Sequence, residues 1–359
     1  MSNYNTNDPE AVAIRKKIEK LQSMGREAEL YDVISKEDVE LFEFANDVKL
    51  PEDYVWFITN VGNGGIWEGD WRFYPFCLDR GFLCEGLPYH KKGQEKFAFE
   101  VLDTGCGSGI GLMMQKEHFG EIAYSDEGLA FYHPIPLHGF KEFYLKWLDE
   151  ACLGYDHICF ESTLHGTIEE HLAQYQKNPD IELLQSIWHK VNPQCASKQF
   201  LSDVHSVFVS EANPENKVIL ARILAKARYH DLPSVLKAIF RPENYEIIVW
   251  DLFFEMDYFQ KSVEAEGVMK DAPKYYPMLV EIMKYYETAK EREHYILERC
   301  FEMTVMNPAF RAEDIIGFLT SDDAEIVKCL ALVYKDNIRE RIGTYIDEAK
   351  IKYEKMQES

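Results

Sequence analysis

The stretch whose residue types could do chemistry is Val101-Leu102-Asp103-Thr104-Gly105-Cys106-Gly107-Ser108-Gly109. An apolar run that ends in an acid and opens into alternate glycines lets backbone approach a nucleotide-like cofactor when a helix follows. A second acid, here Asp126, would then hold ribose hydroxyls. The neighbouring sequence opposes that use. Only Ile110 to Phe119 separate Gly109 from Gly120, too few for the supporting helix, and Gly111 weakens it further. The spacing predicts strand and turn, with Gly105, Gly107 and Gly109 as turn or bulge glycines and no bound cofactor.

Other catalytic sets are thin. His133 and His138 flank Pro134-Ile135-Pro136, and His165 and His171 share a helix-like run with Glu169 and Glu170, but no His-Glu-x-x-His, Gly-x-Ser-x-Gly or P-loop pattern occurs. His118 beside Phe119 reads as a surface or strand-end residue. Cys77, Cys84, Cys106, Cys152, Cys159, Cys195, Cys300 and Cys329 form no CxxC pair, which suits small buried hydrophobes in a reducing compartment rather than a metal site.

Acids and aromatics offer recognition chemistry instead. Trp67, Glu68, Asp70 and Trp71 follow Gly64-Gly65, and an exposed indole ringed by carboxylates would anchor a basic target; Trp71 reads as core, Trp67 as open. Asp103 and Asp126 sit beside glycines, where a carboxylate accepts backbone N–H bonds or forms a negative pole on a binding face. The formal charge is −23, with 15 Lys and Arg against 27 Asp and Glu in residues 1–150, a balance of −12, and −11 in residues 151–359. Such a surface repels nucleic acid and membrane phosphates and favours a basic protein partner. No run approaches the twenty apolar residues of a membrane helix and Met1 to Glu10 lacks a signal-peptide pattern, so a cytoplasmic protein is expected.

These residues need elements to hold them. Asp8 can cap a helix from Pro9 to Ser23 carrying Ala11, Ile14, Ile18 and Leu21, and Ser35 one that carries Val39, Leu41, Phe42 and Phe44. Leu50-Pro51-Glu52-Asp53-Tyr54-Val55-Trp56-Phe57-Ile58 spells a third, with Pro at the first helical position and acids in the first turn. Five short runs, Trp71 to Tyr74, Phe97 to Leu102, Gly111 to Met114, Glu121 to Tyr124 and Leu129 to Tyr132, read as strands of one mixed or antiparallel sheet. His138 to Leu153 closes this part as a helix. Beyond Gly154 the period is helical throughout, with pairs such as 214–229 with 232–239 and 312–319 with 323–334 shaped like antiparallel hairpins. The expected fold class is α+β: an α+β domain over residues 1–153, helices packed on one sheet, then an all-α domain over 154–359 compatible with a HEAT-like or other irregular α-solenoid.

The order Leu-Pro-x-Asp-Tyr-x-x-Phe at Leu50 to Phe57, Gly64-Gly65, Asp103-x-Gly105-Cys106-Gly107, Gly120-x-Ile122-x-Tyr124-x-Asp126 and the helix Gly139 to Glu150 resembles the SUKH superfamily, with Tyr124 where that family often has Trp. The resemblance covers residues about 35–153. It implies a non-catalytic binding protein, either an immunity protein that neutralises a cognate toxin, such as a nuclease, or a regulatory scaffold like the fungal cell-wall regulators. Trp67, Glu68, Asp70, Asp103 and Asp126 are the candidate partner-binding residues. The glycine motif alone suggests a rival, an S-adenosylmethionine-dependent methyltransferase, whose alternating strands and helices the later sequence lacks.

Overall fold

Helix α1 (Pro9–Ser23) starts where Asp8 accepts from the backbone N–H groups of Glu10 and Ala11 at 2.9 and 3.1 Å and Pro9 occupies the first turn, where no N–H is needed. The Ala11 bond leads the causes that hold the Asp8 carboxyl below the usual carboxylate range. Helix α2 (Lys36–Asn46) starts on Ser35, whose hydroxyl accepts from Asp38 N at 3.0 Å. Helix α3 (Glu52–Asn60) follows Pro51, and α4 (Gly139–Cys152) comes after the sheet. The computed structural model describes residues 8–26, 28–66, 72–73, 83–84, 98–105, 108–114, 117–125, 133–155, 164–250, 272–288, 294–319 and 321–331, with short pieces at 342–344, 347–348, 350–352 and 354–356.

The sheet is antiparallel at every described pairing. Its continuous part is β4 (Ala98–Gly105), β5 (Ser108–Met113), β6 (Ile122–Ser125) and β7 (His133–Ile135); two-residue segments β1 (Gly65–Ile66), β2 (Arg72–Phe73) and β3 (Leu83–Cys84) extend it, with β2 and β3 both on β4. The expected strand at Leu129 to Tyr132 lies outside the described residues. Between β4 and β5 the register slips after Glu100, so Val101 is the extra residue of a bulge, and Val101 and Leu102 both reach the helix side of the sheet.

Helices α1 to α4 cover one face of this sheet. Ile14, Ile18, Phe42, Tyr54, Phe57, Phe99, Leu102, Ile110, Leu112, Ile122, Phe143 and Leu148 belong to one buried cluster, while Ala98, Met113 and Ala123 form a small one on the opposite face. Aromatic rings thread the core: Phe42 lies 6.1 Å from Phe99, Phe99 5.4 Å from Tyr54, Tyr54 5.0 Å from Phe140, and Phe57 4.3 Å from Tyr144. Tilted and edge-on pairs of this kind contribute about 0.5–1.5 kcal/mol each beyond burial.

The chain divides into two compact units, Met1–Gln174 with Gln185–Lys190, and Tyr175–Leu184 with Val191–Ser359. The first takes in residues past Gly154 because Ile168 N donates to Tyr155 Oη at 3.0 Å and Lys190 Nζ donates to Leu164 O and Gly166 O at 2.8 and 3.2 Å. In the second, every described element is helical. After α5 (Ile168–Lys177) and α6 (Ile181–Lys190) in chain order, helices α7 (Lys198–Ser210), α8 (Pro214–Lys226) and α9 (Leu232–Ile239) pack in succession, as do α10 (Ala272–Thr288) on α11 (His294–Met306), and α12 (Glu313–Leu319) on α13 (Ala324–Ala331). Buried polar side chains tie these turns: Asn216 Nδ2 donates to Tyr175 Oη at 2.8 Å, and Asn307 Nδ2 to Ala272 O at 2.7 Å. No helix among the described residues is long and apolar enough to cross a membrane.

Candidate protein-binding face

The described residues of the glycine motif lie on two paired antiparallel strands. Asp103 pairs with Gly109 and Gly105 with Ser108 across β4 and β5, and the chain after Gly109 continues as strand. That is not the strand-loop-helix that lets a helix N-terminus meet a phosphate. Gly109 has a local reason to be glycine: a Cβ there would stand 2.2 Å from Glu100 Oε1 and 3.1 Å from Leu102 O.

The residues of the Leu50 to Phe57 signature are structural. Leu50, Tyr54 and Phe57 are buried in the core, and burial raises the Tyr54 hydroxyl well above its ordinary pKa. Asp53 works at a distance. Its Oδ1 accepts from Tyr54 N at 2.9 Å and its Oδ2 from Lys141 N at 3.0 Å, in the first turn of α4, whose own N-cap residue His138 makes no side-chain capping bond. Gly139 leaves the room: it sits at φ +87°, and a Cβ there would be 2.5 Å from Asp53 Oδ2. Glu142 completes the cap by accepting from His138 N at 2.7 Å, the leading cause of its lowered pKa.

A cavity of about 430 Å³ in the first unit is lined by Lys17, Lys20, Lys146, Asp149, His165 and Thr167 among others. Carboxylates already hold its principal cations. Lys17 pairs with Asp149, and Glu150 Oε1 takes Lys146 at 2.6 Å and the buried Lys190 at 3.2 Å. Burial leads the causes that lower the pKa of Lys190. His171 is also buried, with Nε2 3.1 Å from His165 O. This is a framework joining α4 to the segment before α5 (Ile168–Lys177), and no group of three or more His, Cys, Asp or Glu among the described residues could hold a metal ion.

Exposed apolar and acidic side chains collect on α2. At about 100° per residue, Val39, Phe42 and Glu43 share one arc, and all three are buried. Glu37, Glu40, Leu41 and Phe44 share the opposite arc, and all are exposed, Phe44 by 87% and Leu41 by 56%. Leu41 and Phe44, expected on the apolar side of this helix, therefore face out. Two large apolar residues three apart on an exposed face form a patch rather than scattered singles.

Acids frame the patch. The helix carries four acids and one lysine, and exposed Asp47 ends it in the left-handed conformation at φ 52°. Beyond it, Lys49 is held by Glu43 Oε2 at 2.5 Å, and that bond, with smaller contributions from Glu40 and Glu52, raises the Lys49 pKa. The local field is thus negative.

Of the expected partner-binding residues, Asp103 lies on β4, half-buried, opposite Gly109 on one side and Arg72 on the other. Strand alternation puts it on the sheet face away from the helices. Trp67, Glu68, Asp70 and Asp126 lie outside the described residues. Leu41 and Phe44 fit a helical apolar spacing, which alone reads as core, whereas the arc that packs inward is Val39, Phe42 and Glu43. No family model, no curated protein and no solved structure matches the chain.

Proposed function

We propose that this chain is a non-catalytic protein-binding protein of the immunity type, which neutralises a basic toxin domain, with nucleases as the target class, in the cytoplasm of the cell that makes it. The observation that carries the reading is the balance of −12 over residues 1–150, on a chain whose motifs resemble the SUKH superfamily. A nuclease must present cations to bind phosphate, and an acidic surface that covers them removes the substrate's access without chemistry of its own. Glu68, Asp70, Asp103 and Asp126 are the proposed acidic contacts and Trp67 the proposed anchor beside them.

The test is co-expression with basic nuclease toxin domains, any encoded beside this chain included. The reading expects a purified complex and restored growth. Cell death at the unprotected rate, with no complex, rejects it.

A regulatory scaffold is the second reading, favoured by the successive helix pairs of the second unit, α8 with α9 and α12 with α13, which suit the extended binding surface of a HEAT-like solenoid. It predicts stable partners in cells that meet no toxin.

A further inference from the structure

We propose that the outward face of α2 is a docking surface for a cationic partner protein, in which Phe44 and Leu41 enter an apolar cleft while Glu37, Glu40 and Asp47 meet Lys and Arg side chains around it. This rests on the protein-binding reading above and adds to the contacts named there a second, separate contact surface on the helix side of the sheet.

The arrangement has both parts of an interface centre. Phe44 is almost wholly exposed, so it does little for the packing of its own fold, yet an aromatic ring is among the side chains that most often anchor a partner. Leu41 lies one turn back and widens the apolar area. The buried residues of the same helix, Val39, Phe42 and Glu43, fix its backbone against the core, and Ser35 fixes its start, so the anchors are presented on a rigid support. A rigid anchor loses less freedom on binding.

Charge selects the occupant. A second copy would bring Glu37, Glu40 and Asp47 against themselves, and an anionic membrane would bring phosphates; both are repelled, whereas Lys or Arg beside the cleft is attracted. Glu43 points inward to Leu50 N at 2.9 Å and to Lys49, which ties up the cation that follows the helix. The carboxylates of the rim are left to the partner.

The probe is an amphipathic helical Lys/Leu peptide of about four turns, titrated into the full-length chain at low salt, with hydrogen exchange and calorimetry as readouts. The proposal expects slowed exchange at residues 36–47, affinity reduced about tenfold or more by Phe44→Ser, affinity retained by Phe44→Trp, and an unchanged melting temperature in Phe44→Ser. A Lys/Ser peptide of equal charge should bind weakly. Equal binding by the two peptides, or protection elsewhere with Phe44→Ser behaving as the parent, overturns the assignment to α2 while leaving an acidic protein-binding surface. A dimer that Phe44→Ser dissolves, or binding to anionic vesicles through α2, overturns the choice of occupant. No binding of the cationic peptide even at low salt overturns this inference; a missing complex with the toxin would overturn the function itself.

Discussion

Replacing Asp53 by Ala removes a cap that α4 receives from another helix. Two bonds go: Oδ2 to Lys141 N at 3.0 Å and Oδ1 to Tyr54 N at 2.9 Å. Loss of a capping side chain costs about 1 kcal/mol, and loss of a carboxylate at a helix N-terminus about 0.3–1 kcal/mol more. Lys141 is only half-buried, so water replaces part of the first term. The expected cost is about 1.5 kcal/mol, or about 3–6 °C in melting temperature; Asp53→Asn, which keeps an acceptor, should cost about 0.5 kcal/mol. Gly139→Ala attacks the same contact from the other side, through a strained φ and a Cβ 2.5 Å from Asp53 Oδ2, and should cost about 2 kcal/mol. Because Asp53→Ala removes the atom that Cβ would strike, the double variant should lose less than the sum of the two. Urea unfolding of the full chain gives the totals, and hydrogen exchange at Phe140 to Tyr144 localises them. Unchanged exchange in Asp53→Ala, or full additivity in the double variant, refutes the cap.

Other expectations follow from the same framework. Lys190→Ala leaves Leu164 O and Gly166 O without their donor and Glu150 with Lys146 alone, and should cost about 3 kcal/mol in unfolding experiments. Burial lowers the His171 pKa from its ordinary 6.5, so the unfolded chain takes the proton first; stability should fall as pH drops through 6.5 toward the lower folded value, and His171→Gln should flatten that fall in urea midpoints measured from pH 7.5 to 5. S-adenosylmethionine should give no heat in calorimetry, since the glycine motif joins two antiparallel strands; micromolar binding would contradict that reading.

Much of the fold was legible because local chemistry and packing agree. Asp8 and Ser35 start α1 and α2 with side-chain bonds that their residue types announce. The lack of room before Gly120 was enough to read strand after Gly109. Other features depend on residues far apart in sequence. Nothing near Asp53 says that it caps a helix 88 residues on, and the matching absence of a side chain at Gly139 has meaning only once the two are adjacent. Lys190, an ordinary charged residue in sequence, is buried because Glu150 and two carbonyls surround it. On α2, Leu41 and Phe44 kept helical spacing yet faced out, since spacing identifies an apolar arc without saying whether the fold or a partner covers it.

The central claim is that an acidic surface of this chain captures a cationic partner, and the association rate against salt tests it most directly. With a basic toxin domain against which this chain protects as partner, stopped-flow rates should fall by about tenfold or more between about 0.02 and 0.5 M salt, and Asp70→Asn, Asp126→Asn and Glu40→Gln should each lower the low-salt rate modestly. Rates that stay flat across salt, with all three variants protecting cells as the parent does, would contradict the claim.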